Sequence, residues 1–321
     1  MSVFTSVDRA ELESFLRAYD LGVLESFSGI ESGIENTNYF VTTSRGRYVL
    51  TLFELTPARE LGYFLNLMAH LAESDVASAH PLADRTGNYL RTLKRKPAAL
   101  VLRLPGCSVE QPAVSHCGAI GSAMARMHLA VANFAGFRAN DRGPEWRREV
   151  IAMLRPRVAP AIGAVFDRVV ADDARIDWGS GLPAGVIHAD LFRDNALFEG
   201  ERLSGIIDFY YAHNGPFVYD LAVCVADWCF SATGLDNVRA RALLGAYDAV
   251  RPLTTAERQA WPDAVRVAAA RFWLSRLKDR IFPRRGALTH TKDPEPFHRV
   301  LLKALEGPDA LHAVWPTRQS Q

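Results

Sequence analysis

Apolar residues recur in the first third of the chain with two different periods. Leu12, Phe15, Leu16 and Tyr19 form one stripe at helical spacing, which predicts a helix from Asp8 to Tyr19. Two β-rich runs follow, at 38–43 and 47–53, parted by Ser44-Arg45-Gly46, a short polar turn whose glycine admits a positive φ. They read as a hairpin. Pro57 suits the first turn of a second helix, carried on by Leu61, Phe64, Leu65, Met68 and Leu71. A turn at 84–87 precedes two more strands, at 88–93 and 98–103, and Leu104-Pro105-Gly106 then breaks the pattern.

After that break the period is helical. Residues 113–132, 145 to about 170, 218–230, 236–250 and 256–281 each read as one helix, with Pro262 expected to kink or interrupt the last. Between the second and third of these lie three apolar segments too short for helices, at 185–188, 196–198 and 205–208. The layout is α+β: a small β-rich part with one main helix (1–105), a hinge at about 101–107, and a large helical part (106–321). Two lobes with a cleft between them commonly enclose a ligand.

Composition narrows the class. The 321 residues are 49% hydrophobic and 23% charged with a net charge of +1, enough for one large or two moderate cores and too balanced for extensive disorder. Nothing draws the whole molecule to nucleic acid or an anionic membrane. The basic run at 91–96 is a turn between strands. No apolar run approaches the roughly eighteen residues of a membrane span, and the N-terminus does not read as a signal peptide. Cys107, Cys117, Cys224 and Cys229 form no C-x-x-C pair, so free thiols in a cytoplasmic protein are expected. A monomer or homodimer is compatible with all of this.

The chemistry concentrates in His188-Ala-Asp190-Leu-Phe-Arg-Asp194-Asn195, followed thirteen residues later by Asp208 at the end of Gly205-Ile-Ile. Phosphoryl transfer to a hydroxyl needs a carboxylate that orients the alcohol and takes its proton, and oxygen ligands that hold Mg2+ on the ATP phosphates. Asp190 suits the first role. Asn195 and Asp208, an amide and a carboxylate on adjacent strand ends, suit the second, because magnesium takes one or two carboxylates plus phosphate and water. Asp and Asn also favour turns, but the spacing and the helical setting together make the catalytic reading the stronger.

This segment resembles the catalytic and metal-binding loops of aminoglycoside phosphotransferases and choline kinases. The resemblance implies a bilobal protein-kinase-like fold, ATP and Mg2+ as cofactors, Asp190 as base, Asn195 and Asp208 as metal ligands, and His188 as loop support. It also implies a supporting role for Asp220 beneath the catalytic loop, although Asp220 near a helix start reads equally as a plain cap. Further segments, Gly33-Ile-Glu-Asn-Thr-Asn-Tyr-Phe-Val, Tyr48-Val-Leu-Thr-Leu-Phe-Glu54, Ala98-Ala-Leu-Val-x-Arg-Leu-Pro-Gly106 and Arg271-Phe-Trp-Leu-Ser-Arg-Leu277, are similar to the homoserine kinases of this fold. That implies a small-molecule substrate, L-homoserine, phosphorylated on its hydroxyl as a step toward threonine. Kinases of the same fold for choline, an aminoglycoside or an amino sugar are the nearest alternatives, and a nucleotide-binding pseudokinase is a more distant one.

One departure stands out. The third strand of such kinases usually carries a phosphate-binding lysine. Here Thr51 takes that slot, and no lysine precedes Lys94. A threonine hydroxyl offers a neutral hydrogen bond about half as strong as the charged contact. Nucleotide contacts are then expected from backbone near Gly29 and Gly33, from Val49 as a roof on adenine (an ordinary core valine fits as well), from Thr51, and from backbone at Arg103 and Leu104. Tyr211, Asp227, Trp273 and Arg276 come from segments that could border the substrate, though structural roles suit each. His116 and His213 read as surface or internally satisfied, and His128 as core packing.

Overall fold

The computed structural model describes residues 4–30, 36–178, 181–283 and 292–316. Among these, residues up to Pro105 form one compact unit and those from Gly106 onward another.

The first unit begins with α1 (Arg9–Leu16). Asp8 accepts the Glu11 N–H and the Glu11 carboxylate accepts the Asp8 N–H, a reciprocal cap. Five antiparallel strands, β1 (Leu24–Gly29), β2 (Thr37–Thr43), β3 (Gly46–Leu52), β4 (Arg91–Leu93) and β5 (Lys96–Leu102), pair in the order β1-β2-β3-β5-β4. The β4–β5 turn is made by Lys94 and Arg95, both at positive φ (53° and 63°), as a two-residue hairpin turn requires. Helix α2 (Ala58–Glu73) starts after Pro57 and buries Leu61, Phe64, Leu65, Met68 and Leu71. Leu12, Val41, Leu50, Leu52 and Leu100 form the middle of a core between α1 and the sheet.

The second unit is mostly helical: α3 (Val114–Ala130), α4 (Pro144–Leu154), α5 (Pro160–Arg175), α6 (Phe217–Trp228), α7 (Asn237–Val250), α8 (Thr255–Ile281), α9 (Glu295–Glu306) and α10 (Asp309–His312). Short hairpin-like pairs interrupt the helices: β6 (Ala184–Ile187) with β9 (His213–Pro216), β7 (Ala196–Glu199) with β8 (Arg202–Ile206), and β10 (Phe230–Ser231) with β11 (Gly234–Leu235). Gly106, at φ 94°, lets Cys107 exchange backbone hydrogen bonds with Phe198; a side chain at 106 would press on the Phe198 carbonyl. Helices α3 and α7 pack closely because residue 121 is glycine: a Cβ there would run into the Leu243 carbonyl oxygen.

The structure differs from the elements read along the chain in several places. The single helix expected from 145 to 170 is two, α4 and α5. Pro156 sits in a 3-10 turn at 155–157 and Pro160 opens α5, and a proline ring cannot continue the preceding helix. Helix α8, by contrast, runs through Pro262 without interruption for 27 residues. Its face carrying Trp261, Val265, Phe272 and Trp273 is buried, so packing outweighs the missing backbone donor. Strands β1, β9, β10 and β11 and helices α9 and α10 have no counterpart among the elements the sequence predicts. All four cysteines are free, and no described helix is long and apolar enough to cross a membrane.

Candidate active site

The segment 188–195 follows β6, and helix α6 holds it at three points. Asp220, fully buried, accepts the His188 N–H (2.9 Å) on Oδ2 and the Ala189 N–H (2.7 Å) on Oδ1. Two turns further along, Asp227 accepts the Arg193 N–H (2.9 Å), and next to it Trp228 donates its indole N–H to the Leu191 carbonyl (3.1 Å). Residues 220, 227 and 228 share one helical face, so a single rigid element fixes the loop. Ala189 takes a positive φ of 62°, an uncommon state for a residue with a Cβ. The two bonds to Asp220 on either side of its peptide hold it there.

His188 is fully buried, and burial pushes its imidazole pKa down, so the ring is neutral. Its Nε2–H donates to the Ile207 carbonyl (3.0 Å), and Nδ1 accepts the Asp190 N–H (3.3 Å). The ring therefore ties Asp190 to the residue before Asp208. Asn195 closes the loop: its Nδ2 donates to the Asp190 carbonyl (2.8 Å) and to Asp190 Oδ2 (3.2 Å), which turns the amide oxygen the other way. The Asn195 carbonyl accepts the Ile207 N–H (3.0 Å), so Asn195 and Asp208 stand at one end of the β7–β8 hairpin. Asp208 itself is left-handed at φ 65°.

The electrostatics centre on Asp190. Burial raises its pKa to about 7; the Arg271 charge opposes the rise and the neighbouring Asp208 carboxylate adds to it. The Asn195 amide oxygen and the Asp208 carboxylate are hard oxygen donors of the kind magnesium takes. A cation held there would also relieve the repulsion between the two carboxylates, so these residues fit the metal.

The family model described as the phosphotransferase enzyme family matches residues 26–253. The chain belongs to this family. Its curated relatives include the homoserine kinase of Methylobacillus flagellatus, 50% identical over 316 residues that make up 98% of this chain and 99% of the relative. The homoserine kinase of Neisseria meningitidis is 44% identical over 303 residues, 94% of this chain and 99% of that one. Among solved structures, an amicoumacin kinase aligns with a TM-score of 0.69 at 13% identity, covering 97% of this chain and 96% of its own. The phosphotransferase thus has a protein-kinase-like fold, with an antiparallel sheet in its first unit and a mostly helical second unit.

In the first unit of the phosphotransferase, the Thr51 hydroxyl donates to Asn38 Oδ1 (2.7 Å) and the residue is 5% exposed. Val49 is half-buried on the same strand, between Phe40 and Val101. Arg103 donates its N–H to the Arg47 carbonyl (3.0 Å) and lays its guanidinium 3.8 Å from the centre of the Phe40 ring, with Leu104 half-buried beside it. Gly29 ends β1 opposite Tyr39; Gly33 lies outside the described residues.

Three of the four residues proposed to border the substrate are engaged elsewhere. Trp273 is 2% exposed, stacked on His298 and against Phe166, and belongs to the core. Asp227 binds both the backbone and the Nε of Arg193, which makes it part of the loop's support. Arg276 donates to the Asp293 carbonyl (3.0 Å) and lies over the Phe297 ring, tying α8 to the start of α9. Tyr211 alone lines a concavity beside the loop, together with Ala189, Arg142 and Arg271.

The sequence gives no site role to His128 or Trp228, and it offers Arg271 only within the basic-aromatic segment 271–277 that carries part of the homoserine kinase resemblance. His128 was assigned to packing, and it is buried, but its Nε2 lies 2.9 Å from Asp220 Oδ2 and its Nδ1 2.7 Å from the Tyr247 hydroxyl. Tyr247 in turn accepts from Arg251 (3.1 Å), which pairs with the buried Glu257 (2.8 Å). Nothing local to His128 reveals these partners, because they lie 92 and 119 residues away. Arg271 does carry a signal, a lone cation between Ala270 and Phe272 in an apolar helix stretch.

Proposed function

We propose that this phosphotransferase moves the terminal phosphoryl group of ATP onto the side-chain hydroxyl of L-homoserine, giving O-phospho-L-homoserine. The observation that carries the chemistry is Asp190, a carboxylate only 15% exposed whose pKa is pushed up to about 7 by burial, on a loop fixed by α6. A carboxyl group with that pKa is matched to taking a proton near neutral pH. The identity of the alcohol rests on the homoserine kinases that are 44–50% identical along almost the whole chain.

In this reading the substrate hydroxyl donates to an Asp190 oxygen, which aims its lone pair at phosphorus. As the new O–P bond forms and the bond from phosphorus to ADP breaks, the hydroxyl proton passes to Asp190. His188, Asp220 and Asn195 keep the Asp190 backbone and carboxylate in place through that step. Asn195 and Asp208 are the proposed magnesium ligands; a magnesium ion held by them would supply neutralising charge for the phosphate oxygens. On the first unit, Gly29, Val49 and the backbone of Arg103 and Leu104 are offered to the nucleotide, while the Thr51 hydroxyl is committed to Asn38. The free cysteines suit a reducing cytoplasm.

The test is an ADP-release assay of the purified protein with Mg-ATP and, in separate reactions, homoserine, choline, kanamycin and glucosamine, with products identified by mass. Homoserine should give stoichiometric phosphohomoserine. Release no faster than with water alone would sink the assignment.

A further inference from the structure

Arg271 is 5% exposed, yet among the described residues no hydrogen bond reaches its guanidinium. Its closest carboxylate oxygen is Asp190 Oδ1 at 3.8 Å, outside hydrogen-bond range. Otherwise it faces the rings of Phe272 (3.8 Å to the centre) and Tyr211 (4.9 Å). Other buried arginines of the second unit are satisfied: Arg147 by Asp173 (2.8 Å) and Arg251 by Glu257 (2.8 Å). A largely buried guanidinium whose one ion-pair partner, Asp190, lies beyond hydrogen-bond range is undersatisfied, and such a group next to a proton-accepting carboxylate points to an anionic partner that arrives with the ligand.

The position of Arg271 says which anion. The concavity it lines is built from Tyr211, Arg142, Asp141 and Ala189 and includes neither Asn195 nor Asp208, the residues assigned to the metal and its phosphates. The acceptor is placed on this face, beside Ala189, because neither proposed metal ligand lines it. In homoserine three carbons separate the hydroxyl from the carboxylate, an extended span of about 5 Å from ordinary bond lengths. A molecule of that span, bonded through its hydroxyl to Asp190 and through its carboxylate to Arg271, bridges two anchors 3.8 Å apart without strain.

We propose that Arg271 binds the α-carboxylate of the acceptor and so selects an amino-acid alcohol over a plain amino alcohol, with the Tyr211 ring beneath the guanidinium. This rests on the homoserine reading above. A planar fork suits a carboxylate, and a site that leaves such a fork unpaired rejects a ligand lacking its acceptor.

The experiment compares homoserine with 3-amino-1-propanol, the same molecule without its carboxylate. The wild type should favour homoserine by about 100-fold or more in kcat/KM, the discrimination expected of an unpaired buried charge. Arg271→Met should cut kcat/KM for homoserine about 100-fold more than for 3-amino-1-propanol, and Arg271→Lys should fall between. Equal losses on both acceptors would overturn the proposal, because an arginine acting on the phosphoryl group or on Asp190 affects every acceptor alike. If Arg271→Met does not fold, wild-type kinetics with L-homoserinamide decide: parity with homoserine contradicts the proposal, and a loss of about 100-fold supports it. Turnover of other alcohols without any turnover of homoserine would instead sink the acceptor assignment, and this proposal with it.

Discussion

His128 Nε2 lies 2.9 Å from Asp220 Oδ2, joining α3 to the carboxylate that organises the catalytic loop. Asp220 is fully buried, and burial alone would raise its pKa. The bond from His128 and the His188 N–H instead hold it below the ordinary value, so it stays ionised. His128 is neutral, its pKa lowered by burial, and it passes on support from the Tyr247 hydroxyl.

His128→Phe should therefore leave a buried charge short of one donor, costing about 1.5–3 kcal/mol of stability. It should also lower kcat more than it raises KM, because the loop it steadies carries Asp190 and not the substrate's binding groups. His128→Gln, which keeps a donor, should restore part of both. Thermal unfolding and steady-state kinetics on the three proteins decide; a variant that loses stability with unchanged kcat would reduce His128 to packing.

Asp227 offers the opposite contrast with Arg271. It fixes Arg193 rather than an acceptor, so Asp227→Asn should lower kcat about 10-fold, the scale of losing one charge-assisted bond. The ratio of kcat/KM for homoserine to that for 3-amino-1-propanol should not change. A shift in that ratio would return Asp227 to the substrate site.

Stability should fall as the pH drops below about 6.5, where the unfolded histidines begin to charge. His128, His188 and His213 are buried and have lowered pKa values, so in that range the unfolded chain takes up more protons than the folded one. Asp190 acts in the opposite sense: raised to about 7, it binds its proton in the fold first and favours the folded state as the pH falls. The histidine contribution should therefore show as a smaller loss of melting temperature between pH 7 and pH 5 in His213→Gln than in the wild type; an identical pH profile would contradict the neutral, buried assignment of His213.

The contact between α3 and α7 depends on Gly121, where a Cβ would meet the Leu243 carbonyl. Gly121→Ala should cost about 1–3 kcal/mol as overpacking, read by chemical denaturation. No loss would mean the helices part easily.

Much of the fold could be read along the chain because its signals are local. The stripe of Leu12, Phe15 and Leu16, the β2–β3 turn and the α2 face all appear within a few residues of each other. The α4–α5 break was legible too, in Pro156 and Pro160, but the apolar period across it outweighed them. Helix α9 buries Phe297, Val300, Leu301 and Ala304 at helical spacing and could have been found. Strand β9 could not, since His213-Asn-Gly-Pro216 has no apolar alternation and exists only by pairing with β6. At the candidate site, the proposed roles of Asp190, Asn195 and Asp208 come from their spacing. The support from His128, Asp227 and Trp228 is invisible in sequence, because each acts through a contact that only the folded helices create. The Thr51–Asn38 bond likewise shows only when the strands are in register.

The most direct measurement follows phosphorus-31 during turnover of Mg-ATP and homoserine by the wild type and by Asp190→Asn. A phosphomonoester signal should grow in step with ADP in the wild type, and kcat should fall by about 100-fold to 10,000-fold in the variant with nucleotide affinity retained. A variant that makes phosphohomoserine at the wild-type rate would contradict the role of Asp190 as base.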